Sequence, residues 1–176
     1  LVSFRFPYDG ESGERAEALI KEGADIAHFY VDDRSIEQDP EVIKDAIRNA
    51  HSYLVDRNLR DGITLVYGGG IAEASHVPKS IILGADAVSV GLAYQIALGC
   101  KACYGKAHAT DCPINVGDGD VEWATQRILN MMSSWRDQLL EVLGGMGLRE
   151  VRRQRGEIGR AMFTQELEDR VFGDRE

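Results

Sequence analysis

The stretch ITLVYGGG at residues 63–70 is a short apolar run closed by three glycines, and DAVSVG at residues 86–91 has the same form. A segment of helical length separates the two runs. Short apolar runs joined by helices are typical of parallel strands with right-handed crossovers. The same alternation continues toward the amino terminus, so the sequence predicts an α/β fold built from successive βα units.

The period of the apolar residues places the individual elements. Strands are predicted at residues 2–6, 24–31, 62–67 and 86–90, and helices at residues 14–22, 40–58 and 73–83. The strands are continuous apolar runs, which predicts a sheet covered on both faces. These units correspond to the carboxy-terminal half of a (β/α)8 TIM barrel, with an open doubly wound sheet as the alternative. Half a barrel has open sheet edges, so we expect the missing amino-terminal half in the same polypeptide or in a partner chain.

The chain divides into a half-barrel at residues 1–99, a cysteine loop at residues 100–119 and a helical segment at residues 120–176. A long amphipathic helix is predicted at residues 120–143, with Asp120 as its amino-terminal cap. Its predicted buried stripe consists of Val121, Ala124, Ile128, Met131, Met132, Trp135, Leu139 and Val142. The basic residues 149–155 are interpreted as a solvated or salt-bridged face, and the charged residues that follow as a short helix and a docking tail.

The charge of the chain limits its partners. The formal net charge is −9 and the pI is near 5.0, and an acidic surface disfavours binding to nucleic acid. The sequence contains no signal peptide pattern and no apolar run of the roughly 20 residues that span a bilayer. We therefore expect a cytoplasmic protein without nucleic-acid or membrane partners.

Glycines at two neighbouring strand ends predict a phosphate site. Ligands of parallel barrels bind at the carboxyl ends of the strands, where glycine lets backbone N–H groups approach an anion closely. A helix beginning near Ala72 is expected to add the positive end of its dipole. The residues predicted to hold the phosphate are Gly68, Gly69, Gly70, Val90, Gly91 and Leu92.

The cysteines of the chain are Cys100, Cys103 and Cys112, and Pro113 follows the last of them. An odd number of clustered thiols favours metal or redox chemistry over a secreted disulfide framework. Three thiolates suit a three-iron cluster, or a four-iron cluster with one other ligand. A zinc site with His108 as its fourth ligand and three unrelated thiols are the alternatives. Thiolates beside a phosphate site suggest a flavin that exchanges electrons with an iron–sulfur centre.

Four segments carry a family resemblance: Gly69-Gly70-Ile71, residues 83–91, residues 96–100 and Cys112-Pro113-Ile114. In this order and spacing they closely resemble the FMN-binding synthase domain of the glutamate synthases. The resemblance implies a TIM barrel with FMN at its mouth and, beside it, an iron–sulfur cluster of the 3Fe-4S rather than the 4Fe-4S type.

The resemblance also implies roles for individual residues. FMN phosphate ligands carry over to Gly69, Gly70, Gly91 and Leu92, and cluster ligands carry over to Cys100 and Cys112. Cys103 would take the middle role in the cluster, because the cysteine spacing departs from the family pattern. Arg5 occupies the place of a lysine near flavin and substrate, which makes it the candidate catalytic residue. Residues 32–37 replace a glycine-rich loop that shapes the substrate side.

The implied activity is reductive amination of 2-oxoglutarate, a small 2-oxo acid, to L-glutamate as part of a larger protein. Its electrons would come from a donor protein or an NAD(P)H-linked subunit. Three alternatives remain open: a transferase that makes an N-substituted glutamate, a non-catalytic electron-transfer or assembly subunit, and a phosphate-binding barrel enzyme with a zinc site.

Among the remaining polar residues, His28 is interpreted as a hydrogen-bonded core histidine, and His51 and His76 as surface residues. Asp32 and Asp33 follow a predicted strand, at a position that is often catalytic in barrels or that caps a helix.

Overall fold

The computed structural model describes residues 1–31, 42–100, 120–161, 164–166 and 169. The strands within these ranges are β1 (Ser3–Pro7), β2 (Ile26–Tyr30), β3 (Thr64–Gly68) and β4 (Ala87–Ser89). The helices there are α1 (Ser12–Lys21), α2 (Val42–Asp56), α3 (His76–Leu83), α4 (Leu92–Ala97) and α5 (Val121–Gly145). Three 3₁₀ turns span Arg60–Gly62, Val151–Gln154 and Ile158–Arg160. The predicted α/β alternation is confirmed, and α4 is an additional short helix.

The strands follow one another across the sheet in the order β1-β2-β3-β4, and every pair is parallel. Helices α1, α2 and α3 contact each other in chain order, which places them on one face. A doubly wound sheet reverses its strand order and carries helices on both faces. The sheet of the described residues has no such reversal, so its topology is that of a singly wound sheet and is compatible with part of a TIM barrel.

The hydrophobic core lies between the helices and one face of the sheet. Ala27 and Phe29 of β2 and Leu65 and Tyr67 of β3 are almost completely buried. The rings of Phe29 and Tyr67 are stacked with their centroids 5.7 Å apart. Since burial of a large apolar side chain contributes roughly 1.5–3 kcal/mol, these alternating residues hold the sheet against its helices.

The other face of the sheet is more open. Arg5, His28 and Val66 are register neighbours on β1, β2 and β3, and they are exposed or half-buried. The prediction of a sheet covered on both faces is therefore wrong for the described residues, because their helices pack on one face only. In a closed barrel the face opposite the helices is the interior.

Helix α5 begins as predicted but buries a narrower stripe. The Asp120 carboxylate accepts a hydrogen bond from the Glu122 N–H at 2.9 Å, which confirms the cap. Half-buried positions along the helix are Ala124, Ile128, Met131, Trp135 and Leu139. Val121, Met132 and Val142 are exposed instead, because α5 packs against α3 and α4 along one line of its surface.

The segment after α5 contacts the segments that precede β3 and β4 through Arg155, and it contacts helix α3 through Gly156. The Arg155 guanidinium binds the Asp86 carboxylate at 2.6 Å and the Asp61 carboxylate at 2.8 Å. The Gly156 N–H donates to the Ile82 carbonyl at 3.1 Å. The salt-bridge interpretation of this basic segment is confirmed for Arg155.

Among the described helices, none is both long enough and apolar enough to cross a bilayer.

Candidate functional site

Hydrogen bonds tie the carboxyl ends of the first three strands together. The Tyr8 N–H donates to the Tyr30 carbonyl at 2.8 Å, and the Val31 N–H donates to the Gly68 carbonyl at 2.9 Å. Because all the strands are parallel, the segments that leave them emerge at this one edge. The predicted site residues Gly68, Gly69, Gly70, Val90, Gly91 and Leu92 therefore lie at the carboxyl edge of β3 and β4.

Gly69 and Gly70 have backbone conformations that favour glycine. Their φ angles are +98° and +64°, in the region that side-chain-bearing residues rarely adopt. A Cβ atom at Gly69 would overlap the carbonyl oxygen of Val31 and lie 3.0 Å from its carbonyl carbon. The fold thus requires glycine at position 69 whether or not an anion binds there.

Gly91 lies in different surroundings. Its φ of −107° is open to any residue, and a Cβ atom at this position would meet no atom of the described residues within 4 Å. Neither backbone strain nor packing within the described chain accounts for glycine here. An uncovered backbone directly after a parallel strand can form a cradle in which a phosphate oxygen takes the space of a side chain.

The loop between β3 and α3 differs from the prediction. Helix α3 begins at His76, not near Ala72, and Pro78 lies in its first turn, where proline is tolerated. His76 Nδ1 lies 3.3 Å from the Ala72 nitrogen and 3.1 Å from the Gly70 carbonyl oxygen. The half-buried His76 side chain therefore holds the glycine loop, and the positive end of the helix is farther along the chain than expected.

Arg5 lies on the open face of the sheet beside this edge. It pairs in register with His28, and its guanidinium carbon is 4.2 Å from the centroid of the Tyr30 ring. Tyr30 is the next residue of β2 on the same face, toward the carboxyl edge. The cation–π contact therefore directs the charge of Arg5 toward the glycine loops. Sequence reasoning missed Tyr30, although its spacing of two residues from His28 places both on one face of a strand.

His28 is not the fully hydrogen-bonded core residue that the sequence suggested. Its Nε2 atom is buried and has no hydrogen-bond partner among the described residues. A Cβ atom at Gly68 would lie 3.1 Å from Nε2. Burial lowers the pKa of the imidazole, and the nearby positive charge of Arg5 lowers it further. A neutral histidine with unused hydrogen-bonding capacity thus lies next to Arg5.

The amino-terminal ends of the strands carry a second polar cluster, which sequence reasoning missed. Arg60 is buried and donates to the Gly84 carbonyl at 2.7 Å and to the Asp86 carboxylate at 2.8 Å. Its Nε atom donates to His51 Nδ1 at 3.2 Å. His51 is buried as well, so its assignment to the surface is wrong. This end of a barrel serves stability, not catalysis.

The predicted cluster ligands are only partly within the described chain. Cys100 is half-buried and directly follows Gly99, which has a φ of +86°. Helix α4, six residues and about 9 Å long at 1.5 Å per residue, lies between Gly91 and Cys100 in the chain. Cys103 and Cys112 lie outside the described residues, as do His108, Asp32 and Asp33. The described ranges contain no group of three or more possible metal ligands, and the cluster stays a prediction.

Comparison with known proteins identifies the family. Residues 34–149 match the model described as the conserved region in glutamate synthase. The chain belongs to the glutamate synthase family. The resemblance inferred from the glycine and cysteine segments is thereby confirmed.

Curated relatives of the chain are named as glutamate synthases. The archaeal glutamate synthase (NADPH) of Methanocaldococcus jannaschii is 36% identical over 106 residues, which are 56% of this chain and 21% of that protein. The archaeal-type glutamate synthase (NADPH) of Thermotoga maritima is 36% identical over 124 residues, which are 65% of this chain and 24% of that protein. The chain thus spans about a fifth to a quarter of the length of these relatives. That share is consistent with a partial domain that needs other regions.

Proposed function

We propose that the chain forms the carboxy-terminal half of an FMN-binding TIM barrel in a glutamate synthase-type oxidoreductase. The reaction proposed is the reductive amination of 2-oxoglutarate to L-glutamate. The observation that carries this proposal is the pairing of Arg5 with His28 on the open face of the sheet, together with the open backbone of Gly91 at the carboxyl edge of that sheet. Membership of the glutamate synthase family supports the reaction type.

The residues at this edge fit FMN. The glycine loop after β3 and the uncovered backbone at Gly91 and Leu92 would hold the phosphate, because no side chain blocks their N–H groups. The unused Nε2 atom of His28 supplies hydrogen-bonding capacity on the barrel interior. When bound, the flavin would supply the hydride that reduces the imine of the 2-oxo acid.

The proposed role of Arg5 is to bind and orient a carboxylate of the substrate. Its planar guanidinium offers paired donors that match a carboxylate. The ring of Tyr30 holds the guanidinium on one side, so less side-chain freedom is lost when the substrate binds. His28 stays neutral beside it, because burial and the charge of Arg5 both lower its pKa.

Cys100, Cys103 and Cys112 are proposed to hold the iron–sulfur cluster. Thiolates are the usual ligands of such clusters, and Cys100 follows helix α4, which begins at Leu92 directly after Gly91. The amino-terminal half of the barrel and the electron-donating part of the enzyme are proposed to be other regions of the protein or partner chains. The relatives carry NADPH in their names, which supports NADPH as the final source of electrons.

Replacing Arg5 tests the proposed substrate contact. Arg5→Leu in the intact protein is expected to lower kcat/KM for 2-oxoglutarate by about 10- to 100-fold, the effect of losing charge-assisted hydrogen bonds worth about 1.5–3 kcal/mol. Arg5→Lys is expected to recover part of the loss, because it keeps the charge but not the fork. Steady-state rates with ammonia and with methylamine separate glutamate formation from N-substituted glutamate formation. An unchanged kcat/KM in the Arg5→Leu enzyme would show that Arg5 does not bind the substrate.

Replacing Gly91 tests the proposed phosphate cradle. Gly91→Ala is expected to weaken FMN binding at least about tenfold, because the methyl group takes the space of a phosphate oxygen. The stability of the flavin-free protein is expected to stay the same or to rise by up to about 1 kcal/mol, since alanine tolerates this φ. Equilibrium titration with FMN and thermal unfolding measure the two effects separately. An unchanged affinity for FMN would show that the FMN phosphate does not bind at Gly91.

A further inference from the structure

Five arginines line a cavity of about 890 Å³ in the segment that follows α5. They are Arg149, Arg152, Arg153, Arg155 and Arg160. Arg155 binds Asp86 and Asp61, which precede β4 and β3. The cavity therefore lies toward the amino-terminal ends of the strands, opposite the edge proposed for FMN.

The charge of this cavity differs from that of the chain. The acidic residues in its lining are Glu150 and Glu157, so the arginines outnumber them, whereas the whole chain has a net charge of −9. In the part of the chain that the structure describes, the side chains of Arg149 and Arg153 have neither an ion-pair nor a hydrogen-bond partner, unlike those of the other three arginines. Like charges gathered in one cavity repel one another unless an anion lies among them.

Two of the arginines are held in place by the fold. Arg155 is fixed by the carboxylates of Asp86 and Asp61, and Arg160 donates to the Met146 carbonyl at 3.3 Å. Gln154, which lies between Arg153 and Arg155 in the chain, is completely buried and fixes this segment to the fold. The Arg152 guanidinium is only loosely paired, 3.7 Å from the Glu150 carboxylate, and both side chains are largely exposed. The cavity thus combines anchored arginines with arginines available to a ligand.

We propose that this cavity binds a small polyanion, a molecule that carries two or more phosphate or carboxylate groups. Guanidinium groups bind both kinds of oxyanion through paired hydrogen bonds. The volume is within the range of about 300–1,000 Å³ that is typical of small-molecule sites. The family match ends at residue 149, so six of the nine lining residues lie beyond the conserved glutamate synthase region. The site is independent of the proposed flavin chemistry.

Titration of the intact protein with pyrophosphate and, separately, with citrate tests this site and distinguishes its two possible ligand chemistries. Saturable binding of at least one of them is expected, with a sub-millimolar Kd at 0.1 M salt. The double variant Arg149→Gln/Arg153→Gln is expected to weaken that binding at least tenfold. These side chains are exposed, so the fold should not change, which circular dichroism checks.

The matched control is Arg136→Gln on α5. Arg136 is exposed, is paired only with the adjacent exposed Asp137 in the described chain, and is not among the cavity residues. Its replacement is expected to leave the Kd unchanged. Absence of saturable binding by both anions would overturn the proposal, as would equal weakening in the control and the double variant. Pyrophosphate bound only at the flavin phosphate site would be insensitive to the double variant, and that result too would overturn it.

Discussion

Gly69→Ala is expected to lower the free energy of unfolding by at least about 4 kcal/mol, a loss at the upper end of single-residue effects. The φ of +98° costs an alanine about 1–2 kcal/mol. The larger part of the expected loss in the free energy of unfolding comes from the overlap of the new Cβ atom with the Val31 carbonyl oxygen. Relief of this overlap would separate β2 from β3 and break the hydrogen bond between Val31 and Gly68. Thermal unfolding of the intact protein is expected to show a midpoint at least about 8 °C lower.

Gly10 and Gly91 provide the matched controls for this prediction. Gly10 has a φ of +93°, close to that of Gly69, but its Cβ position is free of described neighbours within 4 Å. Gly10→Ala therefore measures backbone strain alone and is expected to cost about 1–2 kcal/mol. Gly91→Ala introduces neither strain nor overlap within the described chain. Equal losses for Gly69→Ala and Gly10→Ala would show that the contact with Val31 adds nothing.

Arg60→Met is expected to lower the free energy of unfolding by about 3–5 kcal/mol, because it breaks a buried ion pair. The Arg60 side chain is 6% exposed and lies 2.8 Å from the Asp86 carboxylate. Its loss also leaves the carbonyl groups of Ile63 and Gly84 without these donors. Arg136→Met removes an exposed pair and is expected to change stability by less than about 1 kcal/mol. Equal effects in the two variants would contradict a structural role for the Arg60 cluster.

The Arg60 cluster also predicts a pH dependence. Burial raises the pKa of Asp86, but hydrogen bonds from the Leu65 N–H, Arg60 and Arg155 outweigh burial and hold the pKa below its ordinary value of 3.8. Asp86 therefore stabilises the fold above pH 3.8, and this contribution is lost as the pH falls through the lower folded-state pKa. Arg60→Met removes one of these donors and brings the folded-state pKa closer to 3.8, so this variant is expected to lose less stability than the unsubstituted protein as the pH falls. Thermal midpoints measured from pH 6 to pH 3 compare the two proteins.

The order and type of the elements could be predicted from the sequence, because apolar period and glycine position are local signals. Pro78 is compatible with a helix only in the first turn, which accounts for the start of α3 at His76 and not near Ala72. The width of the buried stripe on α5 depends on which helices it meets. The exposure of Met132 and Val142 could therefore not be predicted from the spacing of apolar residues in the sequence.

The candidate site was predictable in position but not in the roles of its residues. Glycine after β3 and after β4 indicated the carboxyl edge, yet only the structure separates Gly69, which the fold requires, from Gly91, which it leaves open. The ion pair of Arg60 with Asp86 joins residues far apart in the sequence. The burial of His51 likewise depends on residues that are distant in the sequence. Such contacts depend on tertiary packing and have no local pattern.

The most direct test of the proposed function is the ultraviolet–visible spectrum of the intact protein, with flavin, iron and zinc quantified on the same sample. We expect a flavin spectrum, FMN released on denaturation in a one-to-one ratio with the chain, and iron with acid-labile sulfide. Iron and sulfide without flavin would indicate the electron-transfer or assembly subunit, and zinc in place of iron would indicate the zinc-containing barrel enzyme. A folded protein that contains no flavin and does not bind added FMN would contradict the proposed FMN-dependent function.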